Sequence, residues 1–352
     1  MQKARSKLSK MGLSLLSSTA GLQNDLLVPR TYKIGILSDV HYASAEEQAR
    51  GNDYELQGLK NPLVRFALRT YRRVVWLKNP LAHNNLLGEF LNQVGPVDYV
   101  IANGDYSCDS AFIGVSDDGA FASAQECLGL LRARYGANFR ALLGDHELGK
   151  TTLVGNRGGM RLASWRRARA ELELQPFWQV EMGSYVLLGV ASSLVALPVF
   201  EPATLPAERA EWQELRAMHL NEICQAFRAL GARHRVLLFC HDPTALPYLW
   251  REEAVRSRLS QIEQTVIGHL HTKLVLWKAR MLAGMPPIGF LGHSVRRYSS
   301  ALREAAYWRP FKVRLCPALA GIELLKDGGF YTAELDELAS RPARFTFHAL
   351  RR

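Results

Sequence analysis

An α/β fold built on mainly parallel strands is what this 352-residue sequence predicts. Three observations lead there. Apolar, β-branched runs alternate with longer amphipathic stretches from residue 32 to about 270, the pattern of strand–helix–strand units. Five of those runs end in short motifs rich in Asp, His and Gly. No internal repeat or low-complexity linker interrupts the chain, so one domain is expected to carry all five.

The runs are Tyr32–Leu37, Val97–Ile101, Phe139–Leu143, Val236–Phe239 and Thr265–Ile267. The motifs that follow them are Asp39-Val40-His41, Gly104-Asp105, Gly144-Asp145-His146-Glu147, Cys240-His241-Asp242 and Gly268-His269-Leu270-His271. Helices are expected over Ser123–Arg134, Arg161–Leu174 and Pro206–Leu230, the last opening at a proline and closing before Gly231. Met182 to Phe200 runs 19 residues without a charge. Its Gly and Pro, and the strand-like front half Tyr185–Val190, favour a buried strand and loop over a membrane span.

Beyond residue 285 the texture changes. Phe311–Leu315 reads as a strand, and Ile322–Leu325 with Phe330–Ala333 brackets Lys326-Asp327-Gly328-Gly329 as a hairpin. A mixed or second sheet built from the C-terminal third is therefore expected. The expected boundaries are a basic tail over 1–30, a main domain over 31–340 with an insert at about 56–88, and a C-terminal tail over 341–352.

The net charge of +11 calls for an anionic partner. Nucleic acid, a phospholipid surface and a phosphorylated small molecule all satisfy it. The five cysteines are scattered and show no Cys-x-x-Cys spacing, which points to a reducing compartment and hence the cytoplasm. Lys3, Arg5, Lys7 and Lys10 precede a Ser-rich, weakly apolar segment, Met11 to Leu22, that reads as a loose basic tail rather than a cleaved signal.

The motif residues are those of a metal centre. Asp39 and His41 are two apart, so at an extended strand end they point the same way and can chelate one cation. Gly104 allows a tight turn that frees Asp105 to bridge two metals. Asp145, His241 and His269 would complete a second site, and His271 would return to the first. His146, beside Asp145, is the candidate acid. Imidazoles and carboxylates in this number can hold two divalent cations, which suit phosphate ester hydrolysis.

In this order the motifs resemble the calcineurin-like metallophosphoesterase superfamily. Its pattern is Asp-x-His, Gly-Asp, Gly-Asn-His-(Asp/Glu), His and Gly-His-x-His, and the match spans residues 32 to 272. The resemblance implies a four-layer sandwich of two mixed β-sheets flanked by helices. It implies one metal on Asp39, His41, Asp105 and His271, and another on Asp105, Asp145, His241 and His269. An activated water then attacks phosphorus in line, while the residue matching His146 stabilises charge or protonates the leaving oxygen. Asp145 departs from the family's Asn. Its extra charge should tighten metal binding and weaken Lewis acidity, favouring hard cations such as Mn²⁺ or Mg²⁺, with Fe and Zn²⁺ also able to bind.

Three stretches, Leu56 to Gly88, Leu148 to Ala170 and Gln264 to Arg303, carry bases and no acid. Each adjoins or contains a metal motif, so they are expected to rim the site mouth. Arg65, Arg69, Arg72, Arg73, Lys150 and Arg157 are the expected anion-binding residues. Four of them lie in a predicted helix over Leu63–Lys78 that also presents Leu63, Phe66, Tyr71 and Val74. Such a helix can lie in a membrane interface or grip an acyl chain, with its bases on phosphates.

Within the superfamily that combination is similar to the UDP-2,3-diacylglucosamine pyrophosphohydrolases of lipid A synthesis. The expected function is thus dinuclear hydrolysis of a phosphodiester or pyrophosphate bond, leaning to a lipid-linked nucleotide. The expected place is the inner face of the cytoplasmic membrane, by peripheral contact. One alternative is a nucleotide or nucleic-acid phosphodiesterase, with Trp165, Trp178 and Trp212 stacking bases. Another is a metal-binding scaffold without catalysis, for which Asp145 is the only support.

Overall fold

A computed structural model describes residues 30–152, 157–288 and 293–351. The expected N-terminal tail lies outside them except for Arg30, and so do the side chains of Arg296 and Arg297.

Among the described residues, ten strands form two five-stranded sheets. The first takes β1 (Thr31–Leu37), β2 (Tyr99–Ala102), β3 (Phe139–Ala141), β9 (Gly329–Asp336) and β10 (Arg344–Ala349) in the order β10-β9-β1-β2-β3. The second runs β4 (Phe177–Met182), β5 (Tyr185–Val190), β6 (Arg235–Cys240), β7 (Ile262–Ile267) and β8 (Val313–Leu315) in sequence order. Both are mixed. β1, β2 and β3 are parallel and β9 is antiparallel to β1. β5 through β8 are parallel and β4 is antiparallel to β5.

Alternation along single strands sets the layers. Ile34, Ile36 and Ile101 pack with Leu187, Leu237, Phe239 and Val266 between the two sheets. Their neighbours Leu37, Val100 and Ala102 face the opposite way, into helices α3 (Asn85–Gln93) and α4 (Asp118–Tyr135). Val186, Leu188 and Val190 likewise leave the middle layer for the Arg209–Ala229 helix. Strands buried on both faces read as continuous apolar runs because neither set of side chains meets water. The result is the expected four-layer sandwich of two mixed sheets flanked by helices.

Three expectations change. Ile322–Leu325 forms no strand, and the hairpin is absent: β9 pairs with β1 and β10 instead, from Ile36↔Tyr331 to Thr31↔Asp336. The C-terminal third contributes β8 to the second sheet but extends the first with β9 and β10, so the second sheet comes mainly from the middle of the chain. The stretch expected as a C-terminal tail contains β10, whose Phe345 and Phe347 pack at the edge of the middle layer. The uncharged run at Met182–Phe200 is the buried strand β5 followed by two short helical turns. Among the described residues no helix is long and apolar enough to cross a membrane.

Candidate metal centre

Parallel strands put their carboxyl ends on one side of a sheet, and both sheets point theirs at the same place. The loops after β1, β2, β3, β6 and β7 therefore meet. Backbone bonds lock the first two together: Asp39 N–H donates to Gly104 O and His41 N–H to Asp105 O, both at 3.1 Å. Gly268 N–H donates to His241 O at 2.9 Å across the second sheet. His269 N–H reaches both carboxylate oxygens of Asp39, at 3.0 and 3.1 Å, and so ties one sheet's site loop to the other's.

Turning these side chains inward takes unusual backbone. Asp39, His41, Asp105, His269 and His271 all have φ between 50° and 59°. Left-handed backbone at a non-glycine residue costs about 1–3 kcal/mol and persists where packing over-determines it. Gly104, at φ 95°, allows a close approach: a Cβ there would sit 2.7 Å from His241 Nδ1.

Two groups of donors result. Asp39, His41, Asp105 and His271 place one ligand atom each within 4.8 Å of one another, and so do Asp105, Asp145, His241 and His269. These are the two ligand sets that the resemblance implies, sharing Asp105. The tautomers suit cations. His241 Nδ1 donates to Asn103 O at 2.5 Å, which leaves Nε2 as a buried lone pair without a hydrogen-bond partner. That lone pair lies 3.1 Å from Asp105 and 3.3 Å from Asp145. His41 Nδ1 meets Ser107 O at 3.3 Å, and its Nε2 faces Nε2 of His271 at 3.3 Å. A lone pair turned on carboxylates is repelled unless positive charge lies between them.

The electrostatics say the same. Burial and the neighbouring His271 push His41 down to about 3. Burial opposes charge on His269 too, yet Asp242 and Asp145 raise it to about 9. Burial also opposes charge on His241, while Asp105 and Asp39 raise it. Asp39 is held well below the usual carboxylate range: burial works against this, but His271 and His241 outweigh it. The pocket demands positive charge, and its donors are those of divalent cation sites. These residues fit two cations.

Three residues around the ligands carried no role in the sequence reading. Glu147, fully buried, accepts N–H bonds from Asp105, Tyr106 and Gly144 at 3.0, 2.8 and 2.9 Å. Burial and the charge of Asp105 push it up to about 8. Asp242 lies 3.7 Å from His269 Nε2. Trp76 packs on His271 with ring centroids 4.8 Å apart. Only Glu147 and Asp242 had a signal, as the acids that directly follow the motif residues His146 and His241.

The expected anion-binding residues separate. Lys150 sits at the centre, its Nζ 2.5 Å from His146 Nε2. The arginines of α2 (Pro62–Val74) bond instead to the segment before the helix. Arg65 donates to Leu59 O, Arg69 pairs with Asp53 at 2.7 Å, and Arg72 pairs with Glu55 at 3.1 Å. Arg157 donates to Glu55 O on the same segment, and Arg73 is exposed. Trp165, Trp178 and Trp212 are buried in the core and offer no face for a base, which removes the stacking argument for nucleic acid.

No protein-family model matches the chain, and no curated protein matches it. Solved structures do. A dimetal phosphatase from Danio rerio is 14% identical and aligns over 90% of this chain and 96% of that one, with a TM-score of 0.47. Purple acid phosphatase from yellow lupin (Lupinus luteus) seeds is 9% identical over 90% of this chain and 54% of that one, with a TM-score of 0.39. Phosphopantetheinyl hydrolase from Mycobacterium tuberculosis is 15% identical over 69% and 84%, with a TM-score of 0.32. Two mixed sheets between helices, with paired ligand sets at their carboxyl ends, are the arrangement that the sequence resemblance implies.

Proposed function

We propose that the protein is a dinuclear metal-dependent hydrolase of a phosphodiester or pyrophosphate bond. The observation that carries this reading is the pair of four-residue ligand groups joined at Asp105. Divalent cations bound there supply Lewis acidity toward a phosphoryl group and its attacking water. The chain's own residues do the rest. Asp105 is held in place through its backbone by Glu147 and accepts the N–H of His146 at 3.1 Å. His146 is fixed by its Nδ1–H bond to Ser107 O at 2.8 Å, so its Nε2 edge faces the cleft beside Lys150. Charge that builds on the phosphoryl oxygens meets fixed positive groups in a site shielded from water.

The substrate reading is a lipid-linked nucleotide at an anionic membrane surface, with UDP-2,3-diacylglucosamine split to UMP and a lipid monophosphate. Its support is the outward face of α2. No residue of this helix is buried, and Leu63, Phe66 and Val74 are 77%, 70% and 56% exposed. Arg65 and Arg72 take the inward side while Leu63, Phe66 and Val74 meet solvent, the reverse of an ordinary surface helix. Leu324 adjoins the end of the helix through its N–H bond to Val75 O and is itself exposed, as is Leu325. Apolar side chains placed this way, on a chain of net charge +11, suit an acyl chain and a negative bilayer.

The test is product analysis after Mn²⁺-loaded protein meets UDP-2,3-diacylglucosamine in detergent micelles, with His146→Ala as control. UMP release lost in the variant is expected. Leu63→Glu with Phe66→Glu should then cut turnover of the lipid far more than turnover of a small soluble diester. Equal losses on both would end the lipid reading and leave the hydrolase one standing.

A further inference from the structure

The contact between Lys150 and His146 changes what His146 can do. The carbonyl of Ser107 can only accept, so His146 Nδ1 carries the hydrogen, and Nε2 is an acceptor. Nε2 is taken by the Lys150 ammonium at 2.5 Å. In this arrangement the imidazole has no N–H to offer a substrate, and the positive group at the cleft is the lysine.

The lysine is built into place. α5 (Asp145–Leu148) ends at Gly149, whose φ of 108° turns the chain back. A Cβ at Gly149 would collide with the carbonyl of Gly159. Lys150 O then accepts Gly159 N–H at 2.9 Å, while Thr151 pairs with Gly158. The side chain passes over the Phe112 ring, with Nζ 5.4 Å from its centroid. Lys150 lines a cleft together with the ligand Asp145 and with Ser193. Burial disfavours its charge, but Glu55 and Asp109, then Asp145 and Asp105, hold it as an ammonium.

We propose that Lys150 is the phosphoryl-contacting cation of the site, with His146 as the tether that aims it. An ammonium has three N–H donors; one is spent on His146 Nε2, and two remain for phosphoryl oxygens. Lys150 keeps its proton throughout, acting by charge and hydrogen bonding. His146 Nε2 is 3.7 Å from Asp105 Oδ2, so the tether stands between the lysine and the shared ligand. The proposal rests on the hydrolase reading for its catalytic part and on geometry alone for anion binding.

Two measurements test it. The first compares Lys150→Met, Lys150→Arg, His146→Ala and the Met/Ala double variant on bis(p-nitrophenyl) phosphate, all Mn²⁺-loaded. Lys150→Met should lower kcat/KM by about 10²-fold, the usual effect of losing one charge-stabilising donor. Lys150→Arg should recover all but about tenfold, because the charge is kept. The double variant should be no worse than the poorer single, since residues acting as a unit are not additive. Fully additive losses, or a Lys150→Met variant as active as wild type, would overturn the assignment.

The second measurement is calorimetric binding of inorganic phosphate to the Mn²⁺-loaded protein, with metal content checked by elemental analysis. Lys150→Met should bind phosphate about tenfold more weakly at unchanged metal content. Unchanged phosphate affinity would refute the proposal whatever the activity. A wild-type protein that hydrolyses nothing, yet shows this loss in the variant, would defeat the hydrolase reading and leave Lys150 assigned.

Discussion

The carboxylate of Glu147 holds the backbone of Asp105, accepting its N–H at 3.0 Å. One buried acid thereby fixes the loop that carries the shared ligand. It also accepts from Tyr106 and Gly144, so the loops after β2 and β3 are joined through it. Glu147→Gln puts an amide N–H against backbone donors. The expected loss is about 1–3 kcal/mol of stability, as for a buried hydrogen-bonding group left unpaired. Affinity for the second cation should fall with it. Urea unfolding and metal titration of the variant would check both, and a wild-type urea midpoint would show that the loops hold without it.

Trp76 packs on His271 with its ring tilted by 33°, 4.8 Å between ring centroids. Removing a group that orients a ligand commonly costs about 10–100-fold in metal affinity. Trp76→Ala should therefore weaken binding at the Asp39, His41, Asp105 and His271 group by about tenfold and spare the other group. Stepwise Mn²⁺ titration by calorimetry separates the two, and equal loss at both would show general loosening instead.

Asp145 supplies a carboxylate oxygen 2.9 Å from His269 Nδ1 and 3.3 Å from His241 Nε2. Asp145→Asn keeps an oxygen donor and removes one negative charge. Weaker cation binding at the second group, by about tenfold, is expected. The rate per metal-loaded molecule should rise, because a less neutralised cation is the stronger Lewis acid. A fall in both affinity and saturated rate would mean that the carboxylate acts on more than the cation.

His219 gives a pH dependence free of the metal ligands. It lies buried in the Arg209–Ala229 helix, where Nε2 accepts the N–H of Ala191 at 3.1 Å. Burial pushes its pKa down from an ordinary 6.5 to about 3. Between those values the unfolded chain binds the proton and the native one does not. The stability it contributes is complete above about pH 6.5 and is lost as pH falls toward 3, at a limiting slope of about 1.4 kcal/mol per pH unit. His219→Gln keeps an acceptor for Ala191 and cannot titrate. Urea midpoints at pH 7 and pH 5 should fall further for wild type than for the variant; parallel falls would place the acid sensitivity elsewhere.

The parts of the site that sequence revealed are those set by residue type and order. Asp39, His41, Asp105, Asp145, His241, His269 and His271 each stand at a strand end, and the sheets bring them into two groups as expected. What stayed hidden depends on contacts between distant segments. β9 carries good strand residues, but its partner is β1, some 300 residues away, so local turn residues misled the hairpin reading. The arginines of α2 showed the right spacing for one face; their partners Asp53 and Glu55, in the segment before the helix, decide which way that face turns. Trp76 had no local signal, since its role comes from a histidine in another loop.

The left-handed backbone at Asp39, His41, Asp105, His269 and His271 also limits how this centre can evolve. Asn and Asp tolerate that conformation best, and β-branched residues least. A thiolate in place of any of these five would meet both a strained backbone and a pocket shaped for oxygen and imidazole nitrogen. Asp145, the first residue of α5, carries ordinary helical backbone and is free of that restriction. It is also the position where the chain departs from the superfamily's pattern. The centre's metal chemistry is thus fixed by the turns that hold five ligands, and variation has room at the ligand that a helix holds.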